Sequence, residues 1–346
     1  METDLRGRIY LRGFSGAVYD GGSWAPLDQE IYDQGLQWEE YEPSLSSVYR
    51  PSLNGYQPMN FPALADRETF PVKDYAKITV RNVGADPGYV YTPYHILSQP
   101  KELAGAAFVN DAYIARMEDV WTHTLYIQPG CDPLSGAELP EEAEGPENNY
   151  SYFVYENYLD VPEESWEALD RAVQEISAEM MSGRTEIPAY QRYLALALAQ
   201  STSVPTWGQV RLLMADVVAA YLNETAEYNP DTPVTPEGED FVSYFLTESH
   251  EGYCMHFASA ATLMLRYLGV PARYVAGYVA DVPSSGKVDV PDSAAHAWVE
   301  IYLDGYGWEP IEVTPAYVGG RPGYTATVEA TPTPTAPVQH TATAAP

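Results

Sequence analysis

The strongest structural signal in this sequence is an apolar helix that begins at a cysteine. The residues Glu251–Cys254 lead into a run rich in Ala, Leu and Met, which Gly269 and Pro271 bring to an end. Cys254 is therefore predicted to lie at a helix N-terminus, where unpaired backbone N–H groups and the helix dipole favour negative charge. Such a position favours the reactive thiolate and offers N–H groups that can stabilise an oxyanion. A lone cysteine, however, is more often a small buried hydrophobe, so other residues must decide its role.

A β-hairpin is predicted downstream of that helix. Strand-forming residues run over positions 294–303, Asp304 and Gly305 supply a turn, and a second strand leads to Glu312. The first strand of this hairpin carries His296. A histidine beside a carboxylate on one sheet face suits thiol activation, because the carboxylate orients the imidazole and the imidazole accepts the thiol proton.

The register of the hairpin decides whether His296 and Glu312 meet. A three-residue loop, predicted at Leu303–Gly305, would place His296 directly opposite Glu312 on the same sheet face. A two-residue loop would pair His296 with Val313 and turn Glu312 to the other face. The function therefore requires a three-residue loop or a bulge, for which the glycines of the turn supply the flexibility.

Four ordered motifs resemble those of the transglutaminase-like superfamily. They are Gly252-Tyr253-Cys254, Leu268–Val275, His296–Glu300 and Gly305–Trp308, within a similar region from Thr206 to Pro315. The similarity is greatest to bacterial membrane-anchored transglutaminase-like proteins of the TgpA type, in which a β-rich segment precedes the catalytic domain.

The resemblance implies an α+β fold with a papain-like transglutaminase core, in which a helix that carries the cysteine packs on an antiparallel sheet that carries a histidine and an acid. By position, Cys254 is the nucleophile, His296 is the base and Glu312 is the acid. Many members of the family have aspartate in the place of Glu312. Glutamate is one methylene longer and still accepts hydrogen bonds, so it can orient His296 with a different geometry.

Three aromatic residues are further candidates for this site. Tyr228, in a proline-rich connection, and Tyr253, beside the cysteine, are candidates for the second oxyanion donor or for substrate binding, with packing of the cleft wall as the alternative. Trp298 should share the face of His296, because it follows two residues later on a strand. It either shields the site from water or packs in the core.

Two other histidines compete for the role of base. His256 lies two residues from Cys254 on the predicted helix, so its side chain projects elsewhere, and a solvated side chain is favoured for His250. A zinc site at Cys254 and His256 fails on ligand number, because a catalytic zinc needs three protein ligands. The acidic segment 129–149 lacks the ligand spacing of an EF-hand and is predicted to be a solvated loop. No metal and no cofactor are therefore expected.

The chain is predicted to divide into three parts. Residues 1–160 form a β-rich N-terminal domain, residues 161–324 form the transglutaminase-like catalytic domain, and residues 325–346 form a disordered linker rich in Thr, Pro and Ala. The predicted strands of the first part are Arg8–Tyr19, Lys77–Val83, Tyr89–Ile96, Trp121–Gln128 and Tyr150–Tyr158. Four helices are predicted. One begins near Asp160, two span Tyr190–Gln200 and Thr206–Asn223, and one lies near Glu237–Thr247.

Charge and cysteine content restrict the partners and the compartment. The 346 residues contain 18 Lys plus Arg and 49 Asp plus Glu, a formal net charge of −31, which disfavours nucleic acid and anionic lipid surfaces as partners. The two cysteines stand among 29 Tyr and 29 Pro, as in a secreted or cell-surface domain without a disulfide framework. Cys131 is predicted not to pair with Cys254, because a disulfide would consume the nucleophile. We expect an extracytoplasmic monomer, with any membrane anchor outside these residues.

Three functions are compatible with these residues. The leading hypothesis is acyl transfer, in which Cys254 forms a thioester with a glutamine-type or peptide amide and an amine accepts the acyl group. With water as the acceptor, the protein is instead a hydrolase, namely a protease, amidase or deamidase. The third function is a non-catalytic binding or scaffolding module of the cell envelope. A protein or peptide substrate is expected for either enzyme, and an amine co-substrate for the transferase.

Overall fold

A computed structural model describes residues 1–32, 76–96, 103, 105–127, 150–181, 207–283, 286–315, 317 and 324–326. The strands are β1 Glu2–Thr3, β2 Leu5–Gly16, β3 Val18–Tyr19, β4 Trp24–Ala25, β5 Ala76–Arg81, β6 Ala106–Val109, β7 Tyr113–Arg116, β8 Thr122–Ile127, β9 Glu227–Tyr228, β10 Glu251–Gly252, β11 Ala272–Val282, β12 Gly286–Lys287, β13 Ala295–Leu303, β14 Gly307–Ile311 and β15 Tyr324–Ala326. The helices are α1 Glu163–Met181, α2 Trp207–Thr225, α3 Phe241–Tyr244, continued by a π-helical turn at Phe245–Ser249, and α4 Cys254–Tyr267. Residues 29–32 and 150–157 are also helical.

The largest sheet joins strands from both ends of the chain. Its order is β14-β13-β11-β2-β7-β6, all antiparallel, and β15 pairs with the first residues of β2. The N-terminal strand β2 therefore lies beside β11, with a bulge between Ala276 and Gly277. A second antiparallel sheet, in the order β12-β1-β5-β8, shares an apolar cluster with the first. This arrangement places the first residues of the chain next to the predicted site strands.

Helix α4 is buried on nearly all sides. Phe257, Leu263 and Met264 have no exposed surface, and a helix that is apolar all round is stable only inside a protein. The helix packs on β13, β11 and α2. Alternate residues of β13, such as Val299, pack in the same apolar cluster as α4, whereas Trp298 packs in the cluster between the two sheets. Strand β13 is thus buried on both faces.

The fold class is α+β, as the sequence predicts. A helix that begins at Cys254 packs on an antiparallel sheet, and strand β13 of that sheet carries His296. The helical predictions near Asp160 and at Thr206–Asn223 correspond to α1 and α2. The helix expected near Glu237–Thr247 begins only at α3, since Asp240 acts as its N-cap and accepts a hydrogen bond of 2.7 Å from the Ser243 backbone N–H. The predicted helix Tyr190–Gln200 lies outside the described residues.

The strand predictions for the N-terminal part are correct in three places. Arg8–Tyr19 corresponds to β2 and β3, Lys77–Val83 to β5 and Trp121–Gln128 to β8. The predicted strand Tyr89–Ile96 is wrong, because this segment forms only isolated bridges. Pro93 has no N–H to donate to a ladder, and His95 has a positive φ of 61° that ends an extended run.

The predicted strand Tyr150–Tyr158 is also wrong, because residues 150–157 are helical. The buried residues Tyr150, Phe153, Val154 and Tyr158 are separated by three, one and four positions, which is the spacing of one helix face. Their rings pack around Trp308 on the hairpin. Aromatic residues favour strands on average, but this packing decides the local structure.

The large sheet crosses the predicted domain boundary at residue 160, because β2 pairs with β11. The division into two domains therefore does not coincide with a break in this sheet, and it stays a prediction. At the other boundary, Thr325 and Ala326 belong to β15 rather than to the predicted linker, whose remaining residues lie outside the described part of the chain. None of the described helices is long and apolar enough to cross a membrane.

Candidate active site

Cys254 is the first residue of α4. It is half-buried and carries a free thiol, so the predicted position of the cysteine at a helix start is confirmed. The backbone N–H of Tyr253 donates a hydrogen bond of 3.3 Å to His256 Nδ1, which fixes the first turn. Gly252 is needed beside it, because a Cβ at this position would lie 2.5 Å from the His256 ring. The Gly-x-Cys pattern thus serves the geometry of the helix start.

The hairpin loop has three residues, but not the three that were predicted. Leu303 pairs with Gly307, so the loop is residues 304–306, whose last N–H donates to the Leu303 carbonyl at 3.0 Å. The predicted direct opposition of His296 and Glu312 is therefore wrong by two residues. Because side chains alternate with a period of two, a shift of two residues still leaves Glu312 on the face of His296.

His296 and Glu312 meet diagonally, just beyond the end of β14. His296 Nε2 lies 2.9 Å from Glu312 Oε2. Glu312 Oε1 accepts hydrogen bonds from the backbone N–H groups of Val313 at 3.0 Å and Thr314 at 2.8 Å. Because an ionised carboxylate only accepts hydrogen bonds, Nε2 carries the hydrogen of this contact, and Nδ1 is the ring nitrogen left for the thiol.

The electrostatics of the site favour the charged forms of His296 and Glu312. Burial lowers the pKa of His296, but hydrogen bonds to Cys254 and Glu312 outweigh it and raise this pKa to about 9. Burial likewise raises the pKa of Glu312, but its contacts with His296, Tyr10 and Thr314 outweigh burial and hold this pKa below its ordinary value. His296 is therefore an imidazolium beside the Glu312 carboxylate at neutral pH.

For the predicted acyl transfer, we expect the rate to fall as the pH rises through about 9. The raised pKa of His296 keeps the imidazolium present below that pH, and its proton is needed by the leaving group. Alkylation of Cys254 needs only the thiolate, so its rate should not fall in the same range. Measuring kcat and the rate of alkylation by iodoacetamide from pH 5 to pH 10.5 on one preparation separates the loss of the His296 proton from the reactivity of the Cys254 thiolate. An alkaline limit near pH 6.5, the ordinary histidine value, would contradict the assignment.

Three tyrosines lie near the thiol. Burial is the largest cause of the raised pKa of Tyr228, Tyr274 and Tyr317, and the charge of Cys254 adds to it in each case. Tyr274 is buried, whereas Tyr228 and Tyr317 are half-buried. The Tyr317 ring packs on the His296 ring at 4.4 Å between centroids. The thiol therefore has aromatic neighbours, and one of them covers the His296 ring.

The three predicted aromatic candidates occupy different environments. Tyr228 lies near Cys254, while the Tyr253 ring packs edge-on against His256 at 4.7 Å. Their proposed roles as oxyanion donors or substrate contacts stay predictions. Trp298 does share the face of His296 and stacks on its ring at 6.2 Å, but it has no exposed surface. Trp298 therefore supports the imidazole from the core and has no surface to offer a substrate.

Neither rival histidine occupies the position of a base. His256 is buried against Phe241 at 4.2 Å between centroids, and burial lowers its pKa to about 4, so it is neutral and serves the helix start. His250 is exposed, as predicted, with a left-handed φ of 49°. Within the described ranges, no group of three or more His, Cys, Asp or Glu side chains could hold a metal ion. Cys131 and the acidic segment 129–149 lie outside those ranges.

Two residues of the N-terminal strand complete the site, and sequence reasoning missed both. The Tyr10 hydroxyl donates a hydrogen bond of 2.5 Å to Glu312 Oε2. Arg8 Nη1 donates to the Tyr317 carbonyl at 3.2 Å, and its guanidinium lies 4.8 Å from the centre of the Tyr317 ring. Alternation along β2 could have placed Tyr10 and Arg8 on one face, but no local pattern reveals that β2 pairs with β11.

The resemblance motifs also contain a buried ion pair that sequence reasoning did not identify. Arg273 on β11 is the cross-strand partner of Glu300 on β13, and the two side chains form a salt bridge without solvent exposure. The sequence did contain a signal for this pair, namely an arginine in one motif and a glutamate in another, Arg273 and Glu300. The pair fixes β13, and therefore His296, against the middle of the sheet.

These features define a class of α+β proteins in which a helix-borne cysteine is aligned with a histidine and a carboxylate on a sheet. Residues 199–313 match the family model of the transglutaminase-like superfamily. This part of the chain is therefore a transglutaminase-like domain.

Two relatives share part of the sequence. The protein YebA of Bacillus subtilis (strain 168) is 36% identical over 108 residues, which cover 29% of this chain and 15% of YebA. A protein-glutamine gamma-glutamyltransferase of Pseudomonas aeruginosa is 34% identical over 134 residues, which cover 38% of this chain and 19% of that protein. The matched part thus spans less than a fifth of either relative.

Solved structures include a similar chain as well. The crystal structure of the periplasmic domain of TgpA from Pseudomonas aeruginosa is 17% identical, with a TM-score of 0.45, over 90% of this chain and 88% of that chain.

Proposed function

We propose that this domain is a cysteine acyltransferase, which moves an acyl group from a glutamine-type or peptide amide to an amine. The observation that carries the proposal is the series Cys254, His296, Glu312, with the imidazole hydrogen-bonded on both sides and its pKa raised to about 9. This is the arrangement that activates a thiol, because it stabilises the imidazolium that accompanies a thiolate.

In the first half of the reaction, the Cys254 thiolate attacks the carbonyl carbon of the amide and forms a tetrahedral oxyanion. The backbone N–H groups at the start of α4 are the candidate donors to this oxyanion. The C–N bond then breaks, and His296 gives its proton to the leaving ammonia or amine. The products of this half are a thioester at Cys254 and a neutral imidazole, still held by Glu312.

In the second half, a primary amine attacks the thioester carbon, and His296 Nδ1 takes the proton that the amine loses. The C–S bond breaks, which releases the new amide and restores the thiolate and the imidazolium. Water in place of the amine would give a carboxylic acid, and the protein would then be a hydrolase. Cys254, His296 and Glu312 can serve both transfer and hydrolysis. The outcome therefore depends on whether an amine or water reaches the thioester.

Two observations favour an amine acceptor. Tyr228, Tyr274 and Tyr317 lie near the thiol, and we infer that their rings limit the room for water near the thioester. The formal net charge of −31 attracts cationic amines, whose local concentration it raises. The name of the Pseudomonas relative, protein-glutamine gamma-glutamyltransferase, agrees with this choice.

The test compares ammonia release with amine incorporation, using a glutamine-containing peptide and a fluorescent primary amine. We expect equal amounts of both products from the wild-type chain and none from Cys254→Ala. The Cys131→Ala variant is the matched control, because it removes the other cysteine of the chain and should keep full activity. Ammonia release without amine incorporation would make the domain a hydrolase.

The absence of both products, with a cell-envelope partner retained by Cys254→Ala, would favour the scaffolding alternative. We also propose an extracytoplasmic location, which the low cysteine content and the richness in Tyr and Pro support. Labelling of Cys254 in intact cells by a membrane-impermeant maleimide tests this location, since a cytoplasmic domain would stay unlabelled.

A further inference from the structure

The Glu312 carboxylate is fully engaged by hydrogen-bond donors. Oε1 accepts from two backbone N–H groups, those of Val313 and Thr314. Oε2 accepts from His296 Nε2 at 2.9 Å and from the Tyr10 hydroxyl at 2.5 Å. An ionised carboxylate offers about four lone-pair sites, so these four donors leave none free.

Tyr10 reaches this carboxylate from a distant part of the chain. It lies on β2, outside residues 199–313, and pairs with Val279 on β11. Only 1% of its surface is exposed. Its ring packs edge-on against Trp298 at 5.0 Å and lies 6.4 Å from the His296 ring. The hydroxyl is therefore held in place by the packing of the ring.

We propose that Tyr10 is a positioning residue of the reaction, whose hydroxyl holds the Glu312 oxygen that orients His296. This inference rests on the proposed function. The backbone N–H groups bond Oε1 only, so Oε2 depends on the side chains that reach it. Tyr10 fixes Oε2 on the second side, so the carboxylate keeps the orientation that directs His296 Nδ1 towards Cys254.

Tyr10 also favours the ionised form of Glu312, because a hydrogen bond donated to a carboxylate stabilises its charge. The other charged or titratable groups around Glu312 come from several elements. They are Arg8 on β2, His296 on β13 and Tyr317, with Asp281 on β11 paired to Arg8 at 3.1 Å and Cys254 on α4 on the other side of His296. Asp281 offsets the charge of Arg8. The donors that hydrogen-bond Glu312 Oε2 directly are Tyr10 and His296.

The Tyr10→Phe variant tests the proposal, because it removes the hydroxyl and keeps the ring. We expect kcat to fall by about 10-fold or more, in line with a lost hydrogen bond to a charged group, while KM stays unchanged. The acid limb of the kcat profile should move to higher pH, because Glu312 then takes up a proton more easily. If Tyr10 only packed in the core, its replacement would lower the stability of the protein and leave the acid limb of the kcat profile unmoved.

The Tyr91→Phe variant is the matched control. Tyr91 is 8% exposed, belongs to the same apolar cluster as Tyr10, and hydrogen-bonds the backbone of Asp86 rather than a site residue. Its kcat and acid limb should equal those of the wild type. If Tyr10→Phe also keeps the wild-type values, or if Tyr91→Phe shows the same shift, the positioning role is overturned.

A second variant preserves the test if Tyr10→Phe does not fold. Incorporation of 3,5-difluorotyrosine at position 10 makes the hydroxyl a stronger donor with little change of shape, and the acid limb should then move to lower pH. An unmoved limb overturns the proposal. A wild-type chain that transfers no acyl group overturns the proposed function and this inference together, whereas an active wild type with unaffected variants overturns the inference alone.

Discussion

Replacement of His296 by alanine is expected to lower kcat for acyl transfer by about 10²- to 10⁴-fold, the range that general acid–base catalysis contributes. His296 is the group that hydrogen-bonds both Cys254 and Glu312, so its loss removes the proton donor for the leaving group and the partner of the thiolate. Alkylation of Cys254 by iodoacetamide at neutral pH should slow towards the rate of Cys131, the internal comparison within the same chain. Peptide mapping of the alkylated protein measures both rates in one sample.

The His250→Ala variant is the control, because His250 is exposed and should leave kcat and the alkylation rate unchanged. The His256→Ala variant should lower stability through the start of α4, yet a folded sample should keep the reactive thiol. The assignment of the base is wrong if His296→Ala retains transfer while His256→Ala loses it. Far-UV circular dichroism at the assay temperature confirms that each variant is folded.

The second large effect, a loss of stability, is expected when a buried ion cluster is disrupted. The cluster is formed by Arg12, Asp111, Arg273 and Glu300. Each of these side chains is at most 2% exposed. Glu300 Oε1 lies 3.3 Å from Arg12 Nε, Glu300 Oε2 bonds Arg273 Nε, and Arg273 Nη1 lies 3.8 Å from Asp111 Oδ2. Two cations and two anions thus neutralise one another inside the protein.

Tyrosine hydroxyls complete this cluster. Asp111 accepts hydrogen bonds from Tyr32, Tyr150 at 2.7 Å and Tyr158 at 2.5 Å, and Glu300 accepts one from Tyr94. The cluster therefore joins β2, the turn at residue 111, the helix at 150–157 and the hairpin. It links the N-terminal part of the chain to the strand that carries His296.

The Glu300→Gln variant is expected to lower the free energy of unfolding by about 3–5 kcal/mol, as is typical when one partner of a buried ion pair is removed. The substitution keeps the shape of the side chain but leaves Arg12 and Arg273 with Asp111 as the one remaining anion of the cluster. A buried cation without compensation is costly, because the apolar surroundings cannot replace its hydration. Urea unfolding followed by tryptophan fluorescence measures the change.

The matched control is Glu167→Gln. Glu167 also pairs with an arginine, Arg171, at 3.4 Å, but the side chains are 90% and 55% exposed, so solvent screens the pair and no measurable change is expected. A loss below about 1 kcal/mol for Glu300→Gln would contradict the importance of the cluster, because this is the level of a surface pair.

Local patterns in the sequence were sufficient to predict helix α4 and the position of Cys254 at its start. The apolar run after Cys254 and the stop at Gly269 predicted the helix and its first residue, and both are present. For the hairpin, the composition predicted two strands, and the proposed function required a three-residue loop or a bulge between them. The register was wrong by two residues, because the position of the loop depends on which N–H closes the turn. Period-two alternation nevertheless kept His296 and Glu312 on one face.

Local patterns failed where a distant partner decides the structure. The aromatic residues at 150–158 favour a strand by propensity, yet Tyr158 and Phe153 pack on Trp308 as one face of a helix. The segment at Tyr89–Ile96 has strand composition, but Pro93 and the conformation of His95 interrupt it. In both cases a specific contact or backbone restriction outweighed an average preference.

By itself, the sequence determined the helix start at Cys254 and a hairpin whose first strand carries His296 and whose second strand leads to Glu312, because each follows from periodicity or turn chemistry over a few residues. The α+β class followed from the resemblance of four ordered motifs to a known family. Only the tertiary structure decided that Tyr10 holds the Glu312 carboxylate, that Tyr317 covers His296, and that Arg12 joins the ion cluster. The physical reason is the pairing of β2 with β11, since strand pairing across most of the chain length depends on the whole fold and leaves no local signal.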